Sequence, residues 1–87
     1  AINDMVAYGI MKGLNEHGLK VPENVYLTGC DKIFIPGLND ISLTTIQIPI
    51  NKISTKAINI ILNSKNDPGI TQKNIELPLD LYYGDTA

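Results

Sequence analysis

Acid–base, nucleophilic and metal chemistry each need several suitable side chains brought together, and this sequence is sparing with them. It holds one histidine, His17, and one cysteine, Cys30. A structural zinc site needs about four such ligands, so no metal is expected. His17 falls in the last turn of a helical segment, where a partly positive imidazole suits the helix dipole. A general base also needs a nucleophile or an orienting acid, and none accompanies it. Cys30 has no identifiable histidine partner and reads as a small buried residue. Gly9, Gly13 and Gly18 lie within and after a helix, whereas a phosphate loop precedes one. Tyr82-Tyr83 reads as half core and half surface, not as a platform for stacking bases. No catalytic residue and no cofactor are expected.

Composition narrows the classes further. Eighty-seven residues make one domain at most. The formal net charge is −2, and all seven basic residues are lysines. Arginine is the usual reader of guanine edges, and a basic face is the usual footprint of DNA binding. These residues are therefore not expected to touch nucleic acid. No apolar run has the length needed to cross a bilayer, and no basic stretch leads into an apolar segment at the start. A lone cysteine fits a reducing compartment.

The elements that must position any site follow from periodicity. Ala1-Ile2 resembles the end of an apolar strand. Asn3 and Asp4 suit a helix N-terminus, Met5 to His17 carries a helical pattern, and Gly18 suits the left-handed closing position. After a turn at residues 20–24, Val25-Tyr26-Leu27 reads as a short strand ending at Thr28-Gly29. This is the second half of a β–α–β unit, which needs a preceding strand to pair with. The chain thus reads as a fragment. Leu43-Thr44-Thr45-Ile46 is β-branched and extended, bounded by Ile48-Pro49. From Ile50 to Asn63 the helical period returns. Ile50, Ile53, Ala57, Ile60 and Ile61 lie on one face, and Lys52, Lys56, Asn59 and Asn63 on the other. Asn66-Asp67-Pro68-Gly69 signals a turn. Ile75, Leu77, Leu79, Leu81 and Tyr83 then alternate with polar residues as a strand with one buried face. Pro78 places that strand at an edge or bulge. On the first helix, Val6, Ala7, Tyr8, Ile10, Met11 and Leu14 cover about half the circumference at about 100° per residue. That breadth fits burial between two layers or a subunit interface through Ala7, Tyr8 and Met11, and periodicity leaves both open.

Taken in order, the blocks Asn3-Asp4, Met5-Val6-Ala7-Tyr8-Gly9, Gly18 to Val25, Gly29-Cys30-Asp31 and Leu43-Thr44-Thr45-Ile46 with Pro49 form a recognisable series. It resembles the C-terminal part of the lactose-repressor/galactose-repressor family of bacterial transcription regulators, over nearly the whole chain. The resemblance implies an α/β fold: a fragment of a two-lobed, periplasmic-binding-protein-like (type I) architecture with a parallel sheet flanked by helices. Residues 1–45 would belong to the C-terminal lobe, 50–64 to a helix of the N-terminal lobe, and 74–83 to a returning strand. The DNA-binding head would be absent.

The same resemblance implies a small-molecule effector, a sugar or something similar, held between the lobes at strand ends. It carries Asn3 and Asp31 to the effector site, where both could hydrogen-bond a hydroxyl. Asn3 is equally suited to a plain N-cap, and Asp4 to capping and the helix dipole. Cys30 stands where the family has an aromatic residue, and Lys32 where it has a second acid or amide. Lys32 would suit an acidic effector or simple solvation. A homodimer would use Ala7, Tyr8, Met11, Leu38 and Asn39. The implied function is the ligand-sensing and dimerisation part of a cytoplasmic regulator that reaches DNA only through a separate helix-turn-helix and has no membrane partner. A periplasmic or lipid-anchored sugar-binding protein serving a transporter is the competing reading.

Overall fold

A computed structural model describes residues 1–37, 41–66 and 74–87. Its elements run α1 (Asp4–Glu16), β1 (Thr28–Cys30), β2 (Thr44–Gln47), α2 (Ile50–Asn66) and β3 (Asp80–Tyr82). The chain divides into two units. One comprises Ala1–Ile48 with Asp80–Ala87, the other Pro49–Leu79.

In the first unit the strands form one sheet in the order β1-β2-β3. β1 and β2 are parallel, with Gly29 opposite Thr45, and β3 joins β2 antiparallel, with Tyr82 opposite Thr45. The sheet is therefore mixed, where a parallel one was expected. α1 starts where expected. Asn3 caps it from an extended backbone, its Oδ1 accepting from the Val6 amide at 2.9 Å. Gly18, at φ +75°, closes it, its amide donating to Asn15 O at 3.0 Å while Leu19 N donates to Leu14 O at 2.9 Å. Ala7, Val21, Leu27 and Leu43 are the buried apolar residues of this unit, with Tyr8, Met11 and Leu14 packed against them.

Two strand expectations are corrected. Val25-Tyr26-Leu27 lies outside the ladder, and β1 begins at Thr28. Leu27 N donates to Thr86 O at 2.9 Å, so Leu27 pairs with the C-terminal segment and not with β2, while Val25 N donates back to Lys20 O at 3.3 Å. The strand expected from Ile75 to Tyr83 is confined to Asp80–Tyr82. Burial still alternates upstream, with Ile75 and Leu77 half-buried and Glu76 and Pro78 exposed. The apolar period is satisfied there without a hydrogen-bonded partner strand among the described residues.

In the second unit α2 begins with Ile53 N donating to Pro49 O at 3.0 Å. Its predicted apolar face is present: Ile53, Ala57 and Ile60 line a cavity of about 430 Å³ opposite Ile75, Leu77 and Leu79. No residue of α2 is buried, and Ile50, Ile58, Ile61 and Leu62 are all more than half exposed.

Candidate functional site

The sheet and α1 meet at one small region. Ala1 N donates to Thr28 O at 2.7 Å, so the start of the chain lies alongside β1. Two residues further on, at about 3.3 Å per extended residue, Asn3 arrives near the end of β1, and the chain turns into α1. Asp31 follows β1 directly. Its amide donates to Ile46 O at 2.9 Å, holding the residue to β2.

The side chain that joins these segments is Asp4, and its role differs from the capping expected of it. It is 1 % exposed. One carboxylate oxygen accepts from Thr45 Oγ1 at 2.6 Å and the other from Ile33 N at 2.8 Å. Helix, central strand and the turn after β1 are thus tied through one carboxylate. Such charge-assisted bonds are the strong ones, about 1.5–3 kcal/mol each. The backbone must come close to permit them. A Cβ on Gly29 would collide with the Asp4 carboxylate and approach Leu43 Cδ2 at 2.8 Å.

Asn3 is half-buried and makes the N-cap through Oδ1, which leaves its amide nitrogen as the group a ligand could use. Asp31 is exposed, with φ 106°, and Lys32 follows at φ 53°. These are the non-glycine residues with positive φ among those described. Backbone of this kind costs on the order of 1–3 kcal/mol per residue and tends to gather at ligand sites. Cys30 is partly buried. Burial, then the adjacent Asp31 carboxylate, which also hydrogen-bonds the thiol, pushes its pKa upward, and Asp4 adds to this. His17 hydrogen-bonds Gly13 O through Nδ1 at 2.8 Å, the length of α1, roughly 20 Å, from the Asp4 end. Among the described residues no cluster of His, Cys, Asp and Glu could hold a metal ion, and no helix is long and apolar enough to cross a membrane.

The interface candidates separate. Ala7 is 0 % exposed and enclosed by the chain's own core, so it offers no surface to a partner. Tyr8 and Met11 are half-buried and line a cavity of about 510 Å³ with Lys12, Asn15 and Leu19. Burial first, then the Asp4 carboxylate, raises the Tyr8 pKa. Leu38 and Asn39 lie outside the described residues.

Comparison with known proteins decides the family. The model of the periplasmic binding protein-like domain matches residues 1–87. The chain belongs to this family. Within the periplasmic binding protein-like family it groups with regulators of the lactose-repressor/galactose-repressor type, as its sequence blocks imply. It is 34% identical over 80 residues to the NTD biosynthesis operon regulator NtdR of Bacillus subtilis, covering 91% of this chain and 24% of that one. It is 31% identical over 85 residues to the HTH-type transcriptional repressor PurR of Vibrio vulnificus, covering 98% and 25%. A crystal structure of a LacI family transcriptional regulator from Enterococcus faecium with bound ribose superimposes with a TM-score of 0.78 at 28% identity. That match covers 99% of this chain and 32% of the other. The chain spans about a quarter of the length of the curated relatives it matches.

Two features of the site went unread in the sequence. Acids are common in a helix's first turn, and nothing local marks Asp4 as one that points inward. The tail also went unread. Thr86 is 0 % exposed; its Oγ1 accepts from Thr44 N at 2.9 Å and donates to Leu27 O at 2.7 Å. Thr44 Oγ1 in turn donates to Ala87 O at 3.1 Å and accepts from Gly84 N at 2.9 Å.

Proposed function

We propose that this chain is the ligand-sensing part of a sugar-responsive bacterial transcription regulator, with Asn3 and Asp31 hydrogen-bonding the hydroxyls of a neutral sugar or similar effector. The observation that carries this is the Asp4 tie. By accepting from Ile33 N and Thr45 Oγ1, Asp4 draws the turn bearing Asp31 towards the start of α1, beside Asn3. One amide donor and one carboxylate acceptor are then available at the ends of a helix and a parallel strand, the usual place for ligands in such sheets. The regulators among its relatives, and the ribose bound by the Enterococcus faecium protein, support the same reading.

In this proposal the two units belong to different lobes, β2 leads from one to the other and β3 leads back. Apolar surface that a larger lobe would cover is plentiful in both, at Ile2 and Ile10 in the first and at Ile58, Ile61 and Leu62 in the second. Effector binding would shift a two-state equilibrium of the lobes, and a helix-turn-helix like that of the relatives would read the operator. Tyr8 and Met11 would face a second copy of the protein.

Titration with ribose and sucrose, followed by calorimetry on the regulator that contains this chain, tests the site. Asn3→Ala and Asp31→Ala are each expected to lower affinity for the sugar that binds by about tenfold or more, the cost of one lost polar contact to ligand. Binding at undiminished affinity in both variants overturns the assignment. For the interface, Tyr8→Glu with Met11→Glu is expected to give monomers by light scattering, and a dimer in that variant refutes it.

A further inference from the structure

The turn after β1 is fastened at both ends of its backbone but not at its centre. Asp31 N is held by Ile46 O at 2.9 Å, and Ile33 N by Asp4 Oδ2 at 2.8 Å. Between them the chain reverses through two residues of positive φ, Asp31 and Lys32, neither of them a glycine. A backbone of this kind persists only where its surroundings over-determine it. The side chain of Lys32 supplies what the backbone bonds do not.

Lys32 Nζ donates to Gln47 Oε1 at 3.0 Å, and it sits 4.2 Å from the centroid of the Tyr82 ring. Gln47 ends β2 and Tyr82 ends β3. Both belong to one antiparallel pair, in which Gln47 stands opposite Asp80 and Thr45 opposite Tyr82. β2 is the strand by which the chain leaves the first unit, whose boundary falls after Ile48; β3 is the strand by which it returns, beginning at Asp80. One ammonium therefore grips both crossing strands of the first unit from the turn that carries Asp31. One of the three ammonium donors is engaged in this way, on a side chain that stays exposed.

We propose that Lys32 is a positioning residue, which sets the orientation of Asp31 by tying its turn to the ends of β2 and β3. The role in ligand binding rests on the function proposed above, whereas the tie itself does not. The tie makes the geometry of Asp31 depend on the strands that carry the chain into and out of the second unit. A displacement of either strand end would be felt at the carboxylate, and binding at Asp31 would bias the strand ends in return, since coupling of this kind is reciprocal.

The test needs no ligand. In the 87-residue chain, the Lys32 ε-methylene protons are expected upfield of the other lysines by NMR, owing to the Tyr82 ring current. The shift is expected to vanish in Tyr82→Leu. Amide exchange at Asp31 is expected to rise about two- to tenfold in Lys32→Met, the scale of an exposed cation–ring contact with one hydrogen bond. Exchange at Leu27, deep in the same unit, should stay unchanged. Lys32→Arg, which keeps the charge, the donor and the stacking, is expected to restore protection at Asp31. An unshifted ε-methylene in the wild-type chain, or equal Asp31 exchange in wild type and Lys32→Met, overturns the proposal. So does a rise at Leu27 as large as that at Asp31, which would make Lys32 a general support of the unit. Because neither readout contains a sugar, a failure here leaves the effector assignment standing, and a failure to bind sugar leaves the tie standing.

Discussion

Thr86→Val is the substitution that best tests how this small chain is held together. Valine keeps the branched shape and replaces the hydroxyl with a methyl group. Two backbone groups then lose their partner: Thr44 N–H, which donates to Thr86 Oγ1 at 2.9 Å, and Leu27 C=O, which accepts from it at 2.7 Å. Both residues are buried, at 4 % and 6 % exposure, and Thr86 itself is at 0 %. Water cannot readily replace the lost partner. An unsatisfied buried group costs about 1–3 kcal/mol, so the pair costs about 2–6 kcal/mol. The extra buried methyl returns roughly 1 kcal/mol, leaving a net loss of about 1–5 kcal/mol. Domains are typically stable by only about 5–15 kcal/mol, and the buried apolar residues among those described are just Ala7, Val21, Leu27 and Leu43. Urea unfolding followed by circular dichroism measures the loss. With a slope of about 1 kcal/mol/M for a chain this size, the midpoint should fall by about 1 M or more. Thr86→Ser is the control, because it keeps both bonds and removes one methyl, at a cost of about 1 kcal/mol. A valine variant as stable as wild type, or more stable than the serine variant, refutes the assignment of the tail as a hydrogen-bonded part of the core.

Three further outcomes follow from the same geometry. Asp4→Ala strips partners from the Thr45 hydroxyl and the Ile33 amide and should cost about 3 kcal/mol or more, against about 1 kcal/mol for loss of the N-cap in Asn3→Ala; equal urea midpoints for the two variants contradict this ranking. Gly84→Ala would drive a Cβ into the Ser42 carbonyl and the Leu43 backbone, whereas Gly9 has open space around it. Thermal melts should therefore show the first destabilised by about 1–3 kcal/mol and Gly9→Ala stabilised by about 0.5–1 kcal/mol, and the reverse order counts against the tail's placement. The Cys30 thiol is held above its ordinary pKa by partial burial, then by Asp31 and Asp4. Less thiolate is present at a given pH, so iodoacetamide should react slowly near pH 8. Asp31→Asn removes a negative charge, lowers that pKa and should speed the reaction, while an unchanged rate–pH profile argues against the Cys30–Asp31 contact.

What the sequence made legible is local. Asn3 at the cap, Gly18 at the close of α1 and the apolar stripe of α2 are each decided within a turn of helix, where residue type and spacing carry the information. The limits of β1 and β3 were not legible, because a strand's extent depends on its partner. Leu27 has the composition of a strand residue, yet its amide pairs with Thr86, 59 positions away. Ile75 to Leu79 alternates as a strand should, with no ladder to join among the described residues. The same distinction applies to the site. Asn3 and Asp31 are proposed from their place in a series of blocks, but the contacts of Lys32 could not be read there, since its partners Gln47 and Tyr82 are brought to it only by the antiparallel pairing of β2 and β3.

The adjacent pair Asn3-Asp4 shows how closely scaffold and site are joined here. Asn3 has extended backbone and Asp4 is the first helical residue, so the two side chains leave the chain in different directions. If one is directed outward to the strand ends, its neighbour can be directed into the sheet. Asn3 uses its carbonyl oxygen to start the helix and keeps its amide nitrogen free of the cap. Asp4 is spent inward on Thr45 and Ile33. Exchanging the two residues would leave composition, charge and helix propensity unchanged. It would also put an amide nitrogen, which donates, where two donors need an acceptor, and a carboxylate where the cap now uses an amide and where the proposed effector would meet one. Such a swap is expected to lose stability through Ile33 N–H and Thr45 Oγ1, and with it the placement of Asp31. The order of the two residues, not their presence, is what ties recognition to the fold.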